Sequence, residues 1–325
     1  MLRKLKKFVF LYLALKILIF VGIIYYSYYY TYIKPQVAET TSVVIPDGTS
    51  KGKVSHILSS AKIIEGRAIF LIISHLHSIL GQHIQSGEYS FKAGSTLVDI
   101  LKKLASGEVI IHKLTIPEGY TNIQIYSLLN HAHGLKGEIE QERYKEGHLL
   151  PSTYFYKYGA AKMTLLDRMA KSMDGVVSKL LSIERLPLPL KSIEELLTLA
   201  SIVEKETGLA IERPRIAAVY LNRLNSGMPL QADPTIIYGM TLGATDFFRK
   251  LTYEDLKYDS PYNTYLYKGL PPTPIANPGV DSIKAIFFHA KSNELYFVAD
   301  GTGGHSFNKT YEKHLFSVKK YRKKR

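Results

Sequence analysis

Cysteine does not occur once in the 325 residues, which removes disulfide staples, thiolate nucleophiles and Cys-ligated zinc or iron–sulfur centres from the chemistry open to this chain. Acidic residues are missing from both ends. Residues 1–34 carry Arg3, Lys4, Lys6, Lys7, Lys16 and Lys34 with no Asp or Glu among them, and Lys319, Lys320, Arg322, Lys323, Lys324 and Arg325 close the chain. Those twelve charges leave only +2 of the formal +14 for everything between, so there is no basic field for a phosphate backbone and no nucleic-acid partner is expected. The basic tail itself reads as a solvated terminus. An HExxH-type helical pair is also lacking: His289, His305 and His314 have no diagnostic spacing, and Gly301-Thr302-Gly303-Gly304 runs into a polar segment where a nucleotide loop would need a helix. Neither metal nor cofactor is expected. With 46% apolar and 22% charged residues, the composition is that of a folded chain with one large domain or two.

One apolar run stands out. From Phe8 to Ile33 only Lys16 is charged, and about 20 apolar residues at ~1.5 Å each suffice to cross a bilayer core. A lysine inside a span costs ~2.5–3.5 kcal/mol, but Lys16 lies in the N-terminal half and can snorkel toward the basic flank. Residues 8–33 therefore read as a transmembrane helix, with tyrosines at 25, 26, 28, 29, 30 and 32 as an interfacial belt and membrane lipid as a partner. The basic residues of segment 1–7 predict a cytoplasmic N-terminus and a single-pass protein whose bulk lies outside. No small-x-small site closes a short apolar core, so an uncleaved signal anchor is expected over a cleaved signal peptide.

Gln36 to Ser42 reads as a polar linker. A pattern then recurs: Ile45-Pro46-Asp47-Gly48 precedes Val54, Ile57 and Leu58, Phe91-Lys92-Ala93-Gly94 precedes Leu97, Ile100 and Leu101, and Ile116-Pro117-Glu118-Gly119 precedes Ile123, Ile125 and Leu128. Each predicts strand, glycine turn and amphipathic helix. Residues 43–112 would form a small α+β module that resembles the LysM-like modules of cell-wall proteins, although a glycine turn before a helix accounts for the same residues. His75 and His77 fall on an apolar helix predicted from Ala68 to Leu80 and read as helix-face residues rather than ligands. A second domain, 113–325, follows, with a turn-rich segment at Glu146 to Tyr154 and helices predicted at 162–181, 192–207 and 212–225. Its last hundred residues are rich in Pro, Gly, Asn and Tyr, and such loops on a scaffold commonly carry function.

Ser192 and Glu195 have the spacing of a capping box, and Gly208 suits a helix C-terminus. Between them Ile193, Leu196, Leu197, Ala200 and Val203 form a broad apolar face with Glu204 and Glu206 on opposite flanks, about 160° apart at helical periodicity. The two acids cannot act together on one ligand. Either, desolvated at the margin of a buried face, would gain a raised pKa and serve as a general acid; either could equally be a solvated, ion-paired flank. Periodicity does not choose between them.

A set of longer motifs does. Ala200-Ser201-Ile202-Val203-Glu204-Lys205-Glu206-Thr207, Gly227 through Thr235, Pro261-Tyr262-Asn263-Thr264-Tyr265, Gly269 through Gly279, Tyr296 through Gly301 and Gly304-His305-Ser306-Phe307-Asn308 occur in one order over about 114–321. Together they resemble the endolytic murein transglycosylase family, also called the YceG-like or MltG family. Lytic transglycosylases of the lysozyme-like group carry a catalytic Glu before a hydroxyl residue at a helix end, then a Gly…Gln…Pro-Thr segment, then a Tyr-Asn pair. The resemblance gives these roles to Glu206-Thr207, to Gly227, Gln231 and Pro234-Thr235, and to Tyr262-Asn263. It implies an α+β protein in which a lysozyme-like catalytic domain follows the anchor and the module. Gln231, Asp233, Tyr262, Asn263, Thr264, Tyr265, His305 and Asn308 would contact the glycan, and turn chemistry is the competing account of the same residues. Ser152 departs from the Asp that the family usually has there, which bears on its loop and leaves Glu146 and Pro151 in place.

The implied activity is cleavage of the β-1,4 bond between N-acetylmuramic acid and N-acetylglucosamine within peptidoglycan strands, leaving 1,6-anhydro ends and so terminating elongation. Peptidoglycan strands would be the substrate, cell-wall synthases a further class of partner, and the bacterial cytoplasmic membrane the location. A muramidase using water and a catalytically silent peptidoglycan-binding scaffold are the alternatives.

Overall fold

A 27-residue helix, α1 (Leu2–Tyr28), opens the computed structural model, which describes residues 2–245 and 247–323. Met1, expected in the cytoplasm, and Lys324 and Arg325 of the basic tail lie outside the described residues. With the π-helical turn Tyr29–Ile33, α1 gives a long apolar stretch, Leu5–Ile33, with no buried residue in its most apolar window. It is long and apolar enough to cross a membrane.

The chain forms two compact units, residues 1–112 with 157–159 and residues 113–156 with 160–325. In the first, β1 (Thr41–Ile45), α2 (Lys51–Ser60), α3 (Arg67–Ile79), β2 (Gly87–Phe91) and α4 (Leu97–Ser106) follow in order. β1 and β2 pair antiparallel with Val43 opposite Tyr89. Tyr89 and Phe91 alternate onto the buried face and meet Leu97, Ile100, Leu101 and Leu104 of α4, which repeat at helical spacing. Thr96 and Asp99 close a full capping box on α4, an end that fixes where the helix starts.

Segment 36–42 is not the free linker its polarity predicts. Val37 is buried in the core, Gln36 N donates to Ser95 O at 2.8 Å, Gly94 N donates to Val37 O at 2.8 Å, and Thr41 and Ser42 already belong to β1. Backbone pairing, which side-chain polarity does not report, holds the segment down. The three expected strand, turn and helix repeats do form. Gly48, Gly94 and Gly119 take φ of +69°, +83° and +75°, the left-handed conformation that makes glycine recur at this place.

The second unit continues with β3 (Ile111–Thr115), α5 (Asn122–His131) and β4 (Thr153–Lys157), which pairs with β3. Then come α6 (Lys162–Leu181), α7 (Ile193–Glu206), α8 (Arg213–Asn225), α9 (Asp233–Thr241), α10 (Val280–Phe287), the antiparallel hairpin β5 (Tyr296–Ala299) and β6 (His305–Asn308), and α11 (Tyr311–Lys323). Helix α7 is the axis of this unit: every residue from Leu196 to Val203 is buried, in a core shared with Ile216, Tyr220, Ile283 and Ile286. A helix surrounded on all sides exceeds the one-faced amphipathic helix that its sequence pattern suggests. Its start is capped by Ser192, which accepts from Glu195 N at 3.2 Å. Its end differs from expectation. Thr207 turns extended (φ −143°, ψ 138°) and its Oγ1 accepts from Leu209 N at 3.0 Å, while Gly208 is not among the left-handed residues.

Candidate active site

The opposite flanks of α7 lead to different surroundings. Glu204 accepts from Arg213 Nη2 at 3.1 Å and from Gly279 N at 2.9 Å, and its side chain is 5% exposed. The same guanidinium reaches Glu118 at 3.4 Å. Glu204 is thus committed to an ion pair that ties α7 to α8 and to the turn before α10.

Glu206 has the opposite surroundings. Its carboxyl sits in the wall of a cavity of about 370 Å³, and burial pushes its pKa up to about 7. The negative charge of Asp233 raises it further, while the Tyr220 hydroxyl and Arg223 pull the other way. Oε2 is buried and has no hydrogen-bond partner among the described residues. A carboxyl so placed is half protonated near neutrality, which is the condition a general acid needs.

Helix α8, the loop after it and the start of α9 build the adjoining wall. Tyr220 and Arg223, three residues apart on α8, share one face and both line the cavity. Burial lowers the pKa of Arg223 and raises that of Tyr220 well above its ordinary value. The guanidinium donates through Nε to Leu295 O and through Nη1 to Leu230 O, each at 2.7 Å, and so fastens the chain on either side of the cavity. Leu230 leads into Gln231, which takes φ +52°. A left-handed conformation costs a non-glycine residue about 1–2 kcal/mol and persists where neighbours impose it. Here Gln231 N donates to Thr264 O at 3.1 Å, and Ala232 N donates to Thr264 Oγ1 at 3.0 Å. Asp233, in the first turn of α9, accepts from Tyr265 OH at 2.7 Å, and burial with the neighbouring Asp233 charge raises the Tyr265 pKa.

His305 enters from β6. Glu212 grips it twice, accepting from His305 N at 2.8 Å and facing His305 Nδ1 at 2.7 Å. His314 of α11 also lines the cavity, stacked on Tyr296 with centroids 5.3 Å apart; burial and the charge of Arg223 lower its pKa.

Of the residues singled out in the sequence, Glu206, Gln231, Asp233, Tyr265 and His305 meet in this one cavity. Tyr262, Asn263, Thr264 and Asn308 are not in its lining. Asn263 is fully buried, donating from Nδ2 to Leu256 O at 3.0 Å and Tyr258 O at 2.8 Å and accepting from Tyr265 N at 3.0 Å. Thr264 is buried beneath Gln231, Tyr262 bonds Thr273 Oγ1 at 2.8 Å, and Asn308 bonds Ser317 Oγ at 3.2 Å. The hydrogen bonds of Asn263 and Thr264 hold the loops that present Gln231 and Tyr265, while that of Asn308 ties β6 to α11.

Glu146, which the Ser152 departure leaves in place, is a second carboxyl that burial pushes up to about 7. It lies outside the cavity lining and accepts from Asn122 N and Asn277 Nδ2, each at 3.0 Å. Tyr220 and the grip of Glu212 escaped the sequence reading; Arg223 and Phe297 entered it only as members of longer motifs, and His314 only as a rejected metal ligand. The i, i+3 spacing of Tyr220 and Arg223 was a signal, but one hidden inside a stretch that reads as core.

A family model described as the YceG-like family matches residues 43–320. The chain belongs to that family. A curated relative from Bacillus subtilis (strain 168), named endolytic murein transglycosylase, is 31% identical over 313 residues, covering 87% of this chain and 85% of the relative. A relative of the same name from Streptococcus pneumoniae (strain D39) is 31% identical over 309 residues, which is 81% of this chain and 55% of that protein. This YceG-like chain therefore matches only about half the length of its streptococcal relative. A crystal structure of a YceG-like protein from Listeria monocytogenes aligns with a TM-score of 0.55 at 31% identity, over 86% of this chain and 98% of the other.

Proposed function

We propose that this YceG-like protein is a membrane-anchored lytic transglycosylase that cuts inside peptidoglycan strands, with Glu206 as its only general acid and base. The observation that carries the reading is the Glu206 carboxyl itself: buried in a cavity wall, raised to about 7, with one oxygen unpartnered among the described residues. The name shared by the curated relatives supports the substrate and the reaction.

The chemistry follows from one carboxyl in two protonation states. Protonated Glu206 gives its proton to the glycosidic oxygen as the bond from C1 of N-acetylmuramic acid to O4 of N-acetylglucosamine breaks and C1 gains oxocarbenium character. Ionised Glu206 then takes the proton of the muramic acid's own 6-hydroxyl as O6 bonds C1. The acid is regenerated, no water is consumed, and the strand ends in a 1,6-anhydro sugar. A hydroxyl tethered to the reacting sugar has the high effective molarity of an intramolecular nucleophile. In the wall, Gln231, Asp233, Tyr265 and His305 offer neutral and acidic hydrogen-bonding groups for sugar hydroxyls and acetamido groups.

One observation favours a second reading. Asp233 puts another carboxylate in the same cavity, and a pair of carboxyls is what a glycosidase using water requires. Incubating the full-length protein with peptidoglycan and weighing the fragments separates the two, since anhydro and reducing ends differ by one water. Anhydro ends that vanish with Glu206→Gln support the proposal; reducing ends produced by wild type overturn the transglycosylase step. Fragments released by Glu206→Gln at the wild-type rate overturn the role of Glu206, and no release from wild type leaves the scaffold reading.

The remaining parts fit this activity. Residues 8–33 act as an uncleaved signal anchor, with 1–7 in the cytoplasm and the rest outside, placing the cavity near strands as synthases extend them. Residues 43–112 act as a LysM-like module that guides glycan. A cavity of about 350 Å³ on that unit, lined by Ser90, Lys92, Ser95 and Lys102 among others, offers the polar groups for it. Residues 113–325 form the lysozyme-like catalytic domain.

A further inference from the structure

His305 has two ring nitrogens, and the structure gives them different tasks. Nδ1 faces Glu212 Oε2 at 2.7 Å, and the backbone N of the same residue donates to Glu212 Oε1 at 2.8 Å. Both side chains are mostly shielded, His305 16% and Glu212 15% exposed. An ionised carboxylate only accepts, so the nitrogen facing it carries the proton, and in the neutral ring the other nitrogen becomes a lone-pair acceptor. No described residue bonds Nε2, and the ring lines the cavity that holds Glu206.

The surroundings stop the ring from turning. Phe297 meets it edge-on with centroids 5.3 Å apart, and Phe307 stands at 6.3 Å under the guanidinium of Arg215. Arg215 is in turn held by Glu294, to which its Nε donates at 2.7 Å. Gly304 leaves the carboxylate its room: a Cβ there would lie 2.8 Å from Glu212 Oε1 and push it aside.

We propose that Glu212 is a positioning residue for the substrate site: it fixes His305 as the Nδ1–H tautomer and presents Nε2 as an acceptor for a hydroxyl or acetamido N–H of the saccharide. This rests on the reading of the cavity as a glycan site. Glu212 does not itself touch the sugar. Its effect passes through the imidazole, as a second carboxylate steers a metal-bound histidine elsewhere. Glutamine at 212 has only one accepting atom; with that oxygen kept on His305 N its amide N–H faces Nδ1 and forces the ring proton onto Nε2, turning the acceptor into a donor.

The test measures binding rather than turnover. In full-length Glu206→Gln protein in detergent, the Kd for a muramic-acid-containing tetrasaccharide is measured by calorimetry, alone and combined with Glu212→Gln, with His305→Gln, and with both. Loss of one hydrogen bond predicts about fivefold to tenfold weaker binding for either variant. Because Glu212 acts only through His305, adding Glu212→Gln to His305→Gln should weaken binding no further. Ring ¹⁵N shifts of His305 should report Nδ1 protonated with Glu212 and not with glutamine. Unchanged affinity, additive losses, or an Nε2–H tautomer in the parent each overturn the proposal. If Glu212→Gln does not fold, His305→Asn decides: it retains a nitrogen donor to Glu212 but has no atom where Nε2 stood, and undiminished binding overturns the assignment. If the parent binds no saccharide while the ring tautomer is as stated, it is the glycan reading of the cavity that fails.

Discussion

Replacing Glu206 by glutamine should stabilise the protein, and increasingly so as pH rises. The carboxyl titrates near its ordinary value of 4.5 when the chain is unfolded and at about 7 when folded. Between those values the folded state binds more protons than the unfolded one, so this group's contribution to stability falls as pH rises through the window and levels off above it. The rise from 4.5 to about 7, at ~1.4 kcal/mol for each tenfold change in proton affinity, puts the cost of the ionised, buried carboxylate at about 3.5 kcal/mol well above pH 7. Glutamine keeps the shape and does not titrate. Desolvating the amide adds an offset of its own, but that offset is constant with pH. The informative quantity is therefore the difference between wild type and Glu206→Gln from pH 4.5 to 8.5, read from chemical denaturation of the full-length protein in micelles. Glu146 rises to about 7 as well, but it is common to both proteins and cancels. The difference should grow by about 3 kcal/mol across the window in favour of glutamine and then flatten. In the same range kcat/KM of the wild type should fall about tenfold per pH unit above 7, because only the protonated acid can start the reaction. A difference that is flat with pH, or one that favours wild type as pH rises, would refute the claim that burial raises Glu206.

The neighbouring acid should behave in the opposite sense. Glu204→Gln leaves Arg213 with weaker contacts to Glu118 at 3.4 Å and Asp281 at 3.9 Å, so stability should drop by about 2–3 kcal/mol in denaturant melts while folded protein still releases fragments. Gln231→Gly relieves the φ of +52° and should raise stability by about 1 kcal/mol, yet weaken saccharide binding in titrations, because the side chain at the cavity is gone. Protease added to intact spheroplasts should digest the domain beyond residue 35; digestion only after lysis would reverse the proposed topology.

Much of this architecture is periodic and local, and local signals survive in a bare sequence. The apolar run at Leu5–Ile33, the glycines at 48, 94 and 119, and the Ser192 cap that starts α7 rest on interactions within a few residues of one another. The polarity of segment 36–42 misled because its hydrogen bonds run to Ser95 and Gly94, more than fifty residues away.

The choice between Glu204 and Glu206 marks the boundary most sharply. One helix places them on opposite flanks, and helical geometry assigns no role to either. Arg213 and Gly279 N arrive at one flank to hold a charge, while Tyr220 and the cavity wall arrive at the other and strip water from a carboxyl. Family motifs point to Glu206 without giving that reason. The same holds for Tyr262, Asn263 and Thr264, whose residue types suit sugar recognition but whose hydrogen bonds are made within the protein, to Thr273, to Tyr258 and to Ala232, and for Glu212, whose partner lies 93 residues ahead. Sequence by itself determines which helices and turns form, because propensity and periodicity act between near neighbours. Only the tertiary structure decides which polar side chain is desolvated, which is paired and which faces the cavity, because burial and electrostatics depend on what distant segments bring alongside.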